Sequence, residues 1–390
     1  MAIRGNRQGP TDRRGNFIAE WFGHRIHPTV TAAPEALSDQ RSQRCPFLSV
    51  ATLKTVECIK AARAKGVCTI SSSSNGPRQD WLVCPHRALD FDLMQNAARR
   101  LFGVTSDLVV VPAPTLETDD VRERITSVLA GGGRVVVFLR GRLGGEVSLS
   151  PTERSPEVSF DITMVELLQT DEGLAVGRYA ILEVQTMDFH GSYEQAVRNL
   201  TDALRLHPDD FHDALRRDEG QWISQKIEGP NIANVFKRTF YQILLKFQIG
   251  AHESSAGCVL ALPAAVWDSW QRHLGRPDLT PRGDGTFELS KPGGLAPQVP
   301  AWIYVFDIDG SAGATPNPIV IKTIIATDAD SIAHYAVKVA PSVAIAEGGA
   351  AGMVVTSIRQ RLGAWWPALA GAVVAPRRRG PRTQPPSTAS

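Results

Sequence analysis

The sequence predicts an α/β fold in which helices flank a mixed central sheet. Valine-rich or alternating segments typical of strands recur from residue 134 onward, and amphipathic segments typical of helices separate them. The chain has 390 residues, of which 43% are hydrophobic, so it can bury a sizeable core over two or three domains. Strands that interleave with helices favour an α/β core, and we expect a mixed strand order.

Each predicted element follows from the spacing of its apolar residues. TDDVRERITSVLAG (118–131) begins at an acidic cap and ends in glycines, so it predicts a helix. Runs of valine or strict alternation predict strands at 134–140, 146–150, 157–168 and 178–187, and AWIYVFDID predicts another at 301–309. Amphipathic spacing predicts helices at 192–206 and 231–249, and a helical region is expected over 311–375.

The chain divides into five predicted segments. Both ends are rich in Arg, Pro, Gly and Ser, which is the composition of disordered tails. The segments are a disordered basic tail (1–15), a cysteine-rich segment (16–100), an α/β core (101–310), a C-terminal helical region (311–375) and a second disordered basic tail (376–390).

Charge is concentrated at the two ends of the chain. Residues 1–15 hold four arginines and one acid, and residues 376–390 hold four arginines and no acid, so the ends carry +3 and +4. Because the whole chain carries +2, the remaining residues carry −5. This excludes a uniformly basic body, and contacts with nucleic acid would come from the tails and local patches. The tails are either solubilising ends or arms that bind a phosphate backbone.

The sequence predicts a soluble, cytoplasmic protein with no membrane partner. The first fifteen residues are polar and basic and lack the apolar core of a signal peptide. The longest apolar run, AWWPALAGAVVAP, is interrupted by proline and is too short to span a bilayer.

The strand at 178–187 carries an acid and an amide on one face. Strand side chains alternate, so Glu183 and Gln185 point the same way, and Asp161 occupies a polar position on the preceding strand. A buried carboxylate requires a positive partner. Two converging carboxylates would bind Mg²⁺, the ion that supports phosphoryl hydrolysis. The alternative is a structural acid paired with an arginine such as Arg178.

Four of the five cysteines lie close together in the sequence, at Cys45, Cys58, Cys68 and Cys84. Disulfides are not expected in an intracellular chain, so the alternatives are buried free thiols or a shared metal ion. Cys45 and Cys84 are each followed by proline, and Cys68 lies two residues after Gly66, so three of the four lie near chain bends. Four thiolates would suit tetrahedral zinc or iron.

The helix at 231–249 carries two adjacent basic residues beside its apolar stripe. Lys237 and Arg238 are candidates for contacts with nucleic acid, and the alternative is a solvated helix face. Lys246 also lies off the stripe that Val235, Phe236 and Phe247 define.

Several segments together resemble the NotI-like type II restriction endonucleases, which belong to the PD-(D/E)xK nuclease superfamily. The matching segments, in chain order, are NFIAEWFGHR, CPFL, DWLVCPHRALD, RRLFGV, LGGEVSLS, SPEVSFD, LEVQTMDFHGSY and EGPNIANVFKRTFYQ. The resemblance extends from about residue 16 to about residue 310. It departs from the family at SFD, which lacks the nominal proline, and at AHESSAGCVLALP, which differs at several positions.

The resemblance implies a Mg²⁺-dependent enzyme. It implies a nuclease core with Asp161 and Glu183 as metal ligands, Gln185 in place of the usual lysine and orienting the attacking water, and Glu146 as a further acid. It also implies a structural iron, or zinc, on Cys45, Cys58, Cys68 and Cys84.

The same resemblance implies the biological role and the partners. The enzyme would be a homodimer that hydrolyses both strands of a GC-rich palindromic site in duplex DNA, defends the host against foreign DNA and has a companion DNA methyltransferase. The alternative is a non-enzymatic, sequence-specific DNA-binding protein that retains the nuclease fold.

Overall fold

A computed structural model describes residues 15–370 of the chain, apart from Asn75, Gln225, Glu347 and Gly348. The predicted basic tails therefore lie outside the described residues, except for Gly15. The strands are β1 Phe17–Trp21, β2 His24–Arg25, β3 Val67–Ser72, β4 Gln79–Leu82, β5 Leu108–Pro112, β6 Arg134–Leu139, β7 Ser148–Leu149, β8 Val158–Ser159, β9 Ile162–Thr170, β10 Gly173–Val184, β11 Ser255–Pro263, β12 Thr280–Pro281, β13 Phe287–Glu288, β14 Ala301–Ile308 and β15 Ile319–Thr327.

Helices connect and cover these strands. The α-helices are α1 Pro34–Ser42, α2 Pro46–Thr52, α3 Phe91–Phe102, α4 Asp119–Ala130, α5 Glu194–Leu206, α6 Phe211–Arg217, α7 Glu219–Trp222, α8 Ile232–Gly250, α9 Ala264–His273, α10 Ala329–His334, α11 Ala340–Ala346 and α12 Ala350–Trp365. Short 3₁₀ turns add Ala62–Ala64, Pro85–Ala88, Ala113–Glu117 and Pro367–Leu369, and a π-helical turn, Tyr335–Val339, joins α10 to α11.

The central sheet has nine strands of mixed direction, in the order β12-β13-β15-β14-β11-β10-β9-β6-β5. Strands β10, β11 and β14 run parallel, so their carboxyl ends meet at one edge of the sheet. Strand β9 runs antiparallel to β10, which brings the beginning of β9 to that same edge. Candidate residues at the end of β10 and just before β9 therefore lie close together.

Helices pack against both faces of this sheet. Apolar residues of α8 pack with Ile181 and Leu260 on one face, and apolar residues of α3 pack with Leu182 and Ala261 on the other. The α/β class and the mixed sheet flanked by helices are confirmed.

A smaller antiparallel sheet, in the order β2-β1-β3-β4, belongs to the cysteine-rich segment. Its core is continuous with that of the large sheet, because Ile70 and Trp81 share one cluster with Ile181. A main-chain hydrogen bond of 2.8 Å from Met187 to Leu82 also joins the chain beyond β10 to the end of β4.

Most predicted elements lie close to their observed positions, with informative differences. The predicted strand at 157–168 is two strands, β8 and β9, separated by Phe160 and Asp161. The prediction of a helical region over 311–375 is wrong for Ile319–Thr327, which is strand β15. This strand is rich in β-branched residues and pairs antiparallel with β14 in the central sheet, which explains the difference. Among the described residues, no helix has the length and apolarity needed to cross a bilayer.

A buried histidine makes the stability of the fold depend on pH. The Nε2 atom of His212, on α6, lies 2.8 Å from Oε1 of Gln40 on α1, so the neutral ring donates this hydrogen bond. Burial, aided by the nearby Arg216 charge, lowers the pKa of His212 to about 4. The unfolded chain, with a histidine pKa near ~6.5, binds more protons between these two values.

We therefore expect the contribution of His212 to the free energy of unfolding to be complete above pH ~6.5. The free energy of unfolding should fall, by on the order of 1–2 kcal/mol, as the pH drops toward ~4. His212→Gln should flatten this slope in urea unfolding experiments between pH 4 and 8. His190→Gln, at an exposed position, is the control and should keep the wild-type slope. Equal slopes in the wild type and His212→Gln would contradict the assignment.

Candidate active site

The candidate site lies at the sheet edge where β10 ends. The alternation predicted for this strand is confirmed, because Ile181 packs in the cluster on the α8 side while Leu182 and Val184 pack on the α3 side. Glu183 shares the α8 side and is buried, with only 7% of its surface exposed. Gln185 follows directly after the strand and is half-buried.

Asp161 and Glu183 are joined by two reciprocal hydrogen bonds. The backbone N–H of Asp161 donates to Oε1 of Glu183 at 3.1 Å, and the backbone N–H of Val184 donates to Oδ2 of Asp161 at 2.9 Å. Each carboxylate is thereby fixed by the backbone of the other strand. The arrangement holds two acids side by side at the open edge of the sheet, as the sequence predicts.

A lysine on α8 compensates the buried carboxylate. Nζ of Lys246 lies 2.5 Å from Oε2 of Glu183, and 6% of the lysine side chain is exposed. Burial, followed by repulsion from Asp161, raises the pKa of Glu183 to about 7, although Lys246 acts in the opposite direction. Desolvation therefore outweighs the ion pair, which is the usual result for a charge held away from water. The alternative in which Glu183 pairs with Arg178 is not observed, because the ion pair of Glu183 is with Lys246.

Gln185 is held between the strand and α8. Its side-chain amide donates to the carbonyl of Thr186 at 2.6 Å, and the hydroxyl of Thr239 on α8 donates to its Oε1. A neutral amide cannot supply charge or act as a base, but it can orient a water molecule by hydrogen bonds. Helix α8 thus contacts Gln185 through Thr239 and Glu183 through Lys246.

A buried arginine extends the site toward the cysteine-rich segment. Arg140, which follows β6, donates to the carbonyl of Pro85 at 3.1 Å. It also interacts electrostatically with the carboxylates of Asp161, Glu146 and Glu183. Burial lowers its pKa, and these carboxylates act in the opposite direction. Glu146 is exposed and interacts electrostatically with Arg140, so it is less closely placed than Asp161 or Glu183, which are joined by two backbone hydrogen bonds.

Lys237 and Arg238 lie on the exposed face of α8. The guanidinium of Arg238 pairs with Asp188 at 3.1 Å, a residue of the loop that follows Gln185. Both basic residues therefore stand on the helix that borders the candidate site, in positions that a large ligand can reach.

The four predicted cysteines form one neighbourhood in space. Cys68 interacts with Cys84, Cys45 is electrostatically coupled to Cys58 and Cys84, and the thiol of Cys68 donates to the carbonyl of Gly66 at 3.5 Å. The neighbouring Cys68 thiol lowers the pKa of the Cys84 thiol, and burial raises the pKa of Cys45 to about 12. The backbone N–H of Gly66 donates to the sulfur of Cys58 at 3.4 Å.

Neither the two acids nor the four cysteines form a complete metal-binding site as they stand. Among the described residues, no three His, Cys, Asp or Glu side chains are arranged to hold an ion. Two carboxylates still fit Mg²⁺, because this ion binds through one or two carboxylates and takes its other ligands from water and substrate phosphates. Four neighbouring thiols fit zinc or iron, since thiolate sulfur is a ligand that both ions take in tetrahedral sites.

Sequence reasoning did not identify Lys246 or Arg140 as members of the site. The signal for a cation was present, because an acid on a buried strand needs a positive partner. The sequence alone gives no means of choosing which cation this is, since Lys246 is 63 residues from Glu183.

The architecture and the site define an α/β protein with a pair of carboxylates and a buried lysine at the edge of a mixed sheet. No protein-family model matches the chain, and no curated protein matches it.

Proposed function

We propose that this chain is a PD-(D/E)xK nuclease that acts as a type II restriction endonuclease. The observation that supports this best is the pair of reciprocal hydrogen bonds that hold Asp161 and Glu183 together at the carboxyl end of β10. Two fixed carboxylates beside a half-buried amide are suited to the hydrolysis of a phosphodiester, and the sequence resemblance agrees with this chemistry.

Each residue of the site has a specific task in this proposal. Asp161 and Glu183 would hold Mg²⁺, an ion that would supply polarisation of the phosphate and a lowered pKa of bound water. Gln185 orients the attacking water, and its own position is fixed by Thr239 on α8. The carboxylate of Glu146 contributes to the negative potential that attracts the ion. Lys237 and Arg238 contact the DNA backbone beside the cleavage point.

The proposal extends to partners and cofactors. A homodimer would place two sites about the dyad of a GC-rich palindrome, since identical half-sites call for identical subunits. Zinc or iron on Cys45, Cys58, Cys68 and Cys84 would stabilise the N-terminal segment. The enzyme would act in the cytoplasm against foreign DNA, with a companion DNA methyltransferase that protects the host DNA.

Purified protein incubated with bacteriophage and GC-rich plasmid DNA is expected to give discrete fragments with Mg²⁺ and none with EDTA. Sequencing the fragment ends would then give the recognition site and the cut position together. A mobility shift without cleavage would instead identify a DNA-binding protein that retains the fold. Intact DNA without any shift would contradict both functions.

A further inference from the structure

The candidate site is short of positive charge for the substrate that we propose. A phosphodiester is an anion, and Asp161 and Glu183 both carry negative charge when they are ionised. Gln185 is neutral, and its carbonyl oxygen already accepts the hydroxyl of Thr239. A cation of the protein beside these acids, in addition to the Mg²⁺ that they would hold, would therefore help to bind the phosphate.

Two cations lie near the acids, and their surroundings differ. Arg140 directs its guanidinium to the carbonyl of Pro85, in the cysteine-rich segment. Lys246 directs its ammonium to Oε2 of Glu183 at 2.5 Å. An ammonium has three donors, and within the described part of the chain the Glu183 bond is its one hydrogen bond, so two donors are left for a ligand.

Lys246 also borders an open cavity of about 310 Å³. This cavity lies between α8 and the stretch that leads into Asp161, with Glu157, Ser159, Tyr241 and Gln242 in its walls. The lysine thus contacts the Glu183 carboxylate and also lines a space that is open to a ligand.

We infer that Lys246 is a catalytic residue whose ammonium binds the scissile phosphodiester beside Asp161 and Glu183, and so supplies from helix α8 the positive charge that Gln185 lacks. This inference rests on the proposed nuclease function. The lysine acts as a fixed cation: it remains on Glu183 through one hydrogen bond and holds a phosphate oxygen through another. Helix α8 then positions both the charge, through Lys246, and the neutral amide, through Thr239.

The test compares Lys246→Met with the wild type on a GC-rich duplex that the wild type cuts. We expect kcat to fall by about 100-fold or more, the usual effect of removing one donor to a developing negative charge. Without any metal, the dependence of duplex binding on salt should lose about one unit of slope for each subunit, because one phosphate contact is lost. Lys338→Met, at an exposed position far along the chain, is the control and should change neither quantity.

Relocation of the charge gives a second measurement. Gln185 lies on the same face as Glu183, so Gln185→Lys in the Lys246→Met background places a lysine beside the same carboxylate. This double variant should regain at least about 10-fold in kcat and recover the salt slope. If Lys246→Met does not fold, the double variant is compared with the wild type instead, and its kcat should lie within about 10-fold of the wild-type value.

The possible failures are separable. If the wild type leaves the DNA intact, the proposed nuclease function is wrong, and no variant is needed to show it. If the wild type cuts while Lys246→Met cuts equally fast with an unchanged salt slope, only the role of Lys246 is wrong. A folded double variant that binds the duplex but regains neither cleavage nor slope would also overturn it.

Discussion

Replacing Glu183 by glutamine is expected to reduce the cleavage of duplex DNA by about 1000-fold, the rate equivalent of roughly 4 kcal/mol. The substitution keeps the size and the polar character of the side chain but removes one of the two charges that hold the cation. The affinity for DNA should stay close to that of the wild type, because phosphate contacts elsewhere dominate binding. Single-turnover cleavage and a mobility-shift titration on the same duplex measure the two quantities.

Glu166 provides a matched control for this experiment. It is also a buried acid on a strand, 4% exposed, and it pairs with Arg134 at 2.7 Å. It lies five residues beyond Asp161 along the chain and away from the sheet edge. Glu166→Gln should therefore lose the ion pair of a buried strand acid, although its partner Arg134 is more exposed than Lys246, and should keep its cleavage rate. Wild-type cleavage by Glu183→Gln would show that the active site is assigned to the wrong strand.

The second large effect is expected at the cysteine cluster. Elemental analysis should find about one iron or zinc per chain, and Cys84→Ser should lose most of it. A bound structural ion contributes its binding energy to folding, so we expect the free energy of unfolding to fall by roughly 3–5 kcal/mol. Thermal and urea unfolding of the two proteins, measured under reducing conditions, give this difference.

Cys258 is the control for the loss of a buried thiol. It lies on β11, is fully buried and belongs to the other core cluster, with Ile181 and Leu260. Cys258→Ala should retain the metal, even if packing around it is less stable. If the wild-type protein contains neither iron nor zinc and is still stably folded, with a cooperative unfolding transition, the metal site is excluded.

The candidate acids were predictable because their positions depend on local rules. Alternation along β10 places Glu183 and Gln185 on one face, and this rule acts over a few residues, so the sequence carries it. The pairing of Asp161 with Glu183 was also expected, but the sequence placed Asp161 inside a continuous strand, whereas the structure places it in the break before β9. The α/β class follows in the same way from the interleaving of strand and helix patterns.

The other members of the site were not predictable, since they depend on tertiary contacts. Amphipathic spacing placed Lys246 off the apolar stripe of α8, but the structure buries it against a strand that is distant in sequence. Strand β15 was missed for a different reason. Its β-branched composition was visible, but the alanine-rich sequence that follows it favoured a helix over the whole region.

The contact between Arg140 and Pro85 has a consequence for how this protein can be divided. Pro85 follows Cys84 directly, so one guanidinium ties the thiol neighbourhood to the acids at the sheet edge. The hydrogen bond between Met187 and Leu82 adds a second tie a few residues away. The cysteine-rich segment therefore packs next to the strand end that carries the acids, and it is not an exchangeable module. A different N-terminal segment grafted onto this sheet would also have to replace the contacts that Pro85 and Leu82 make with Arg140 and Met187.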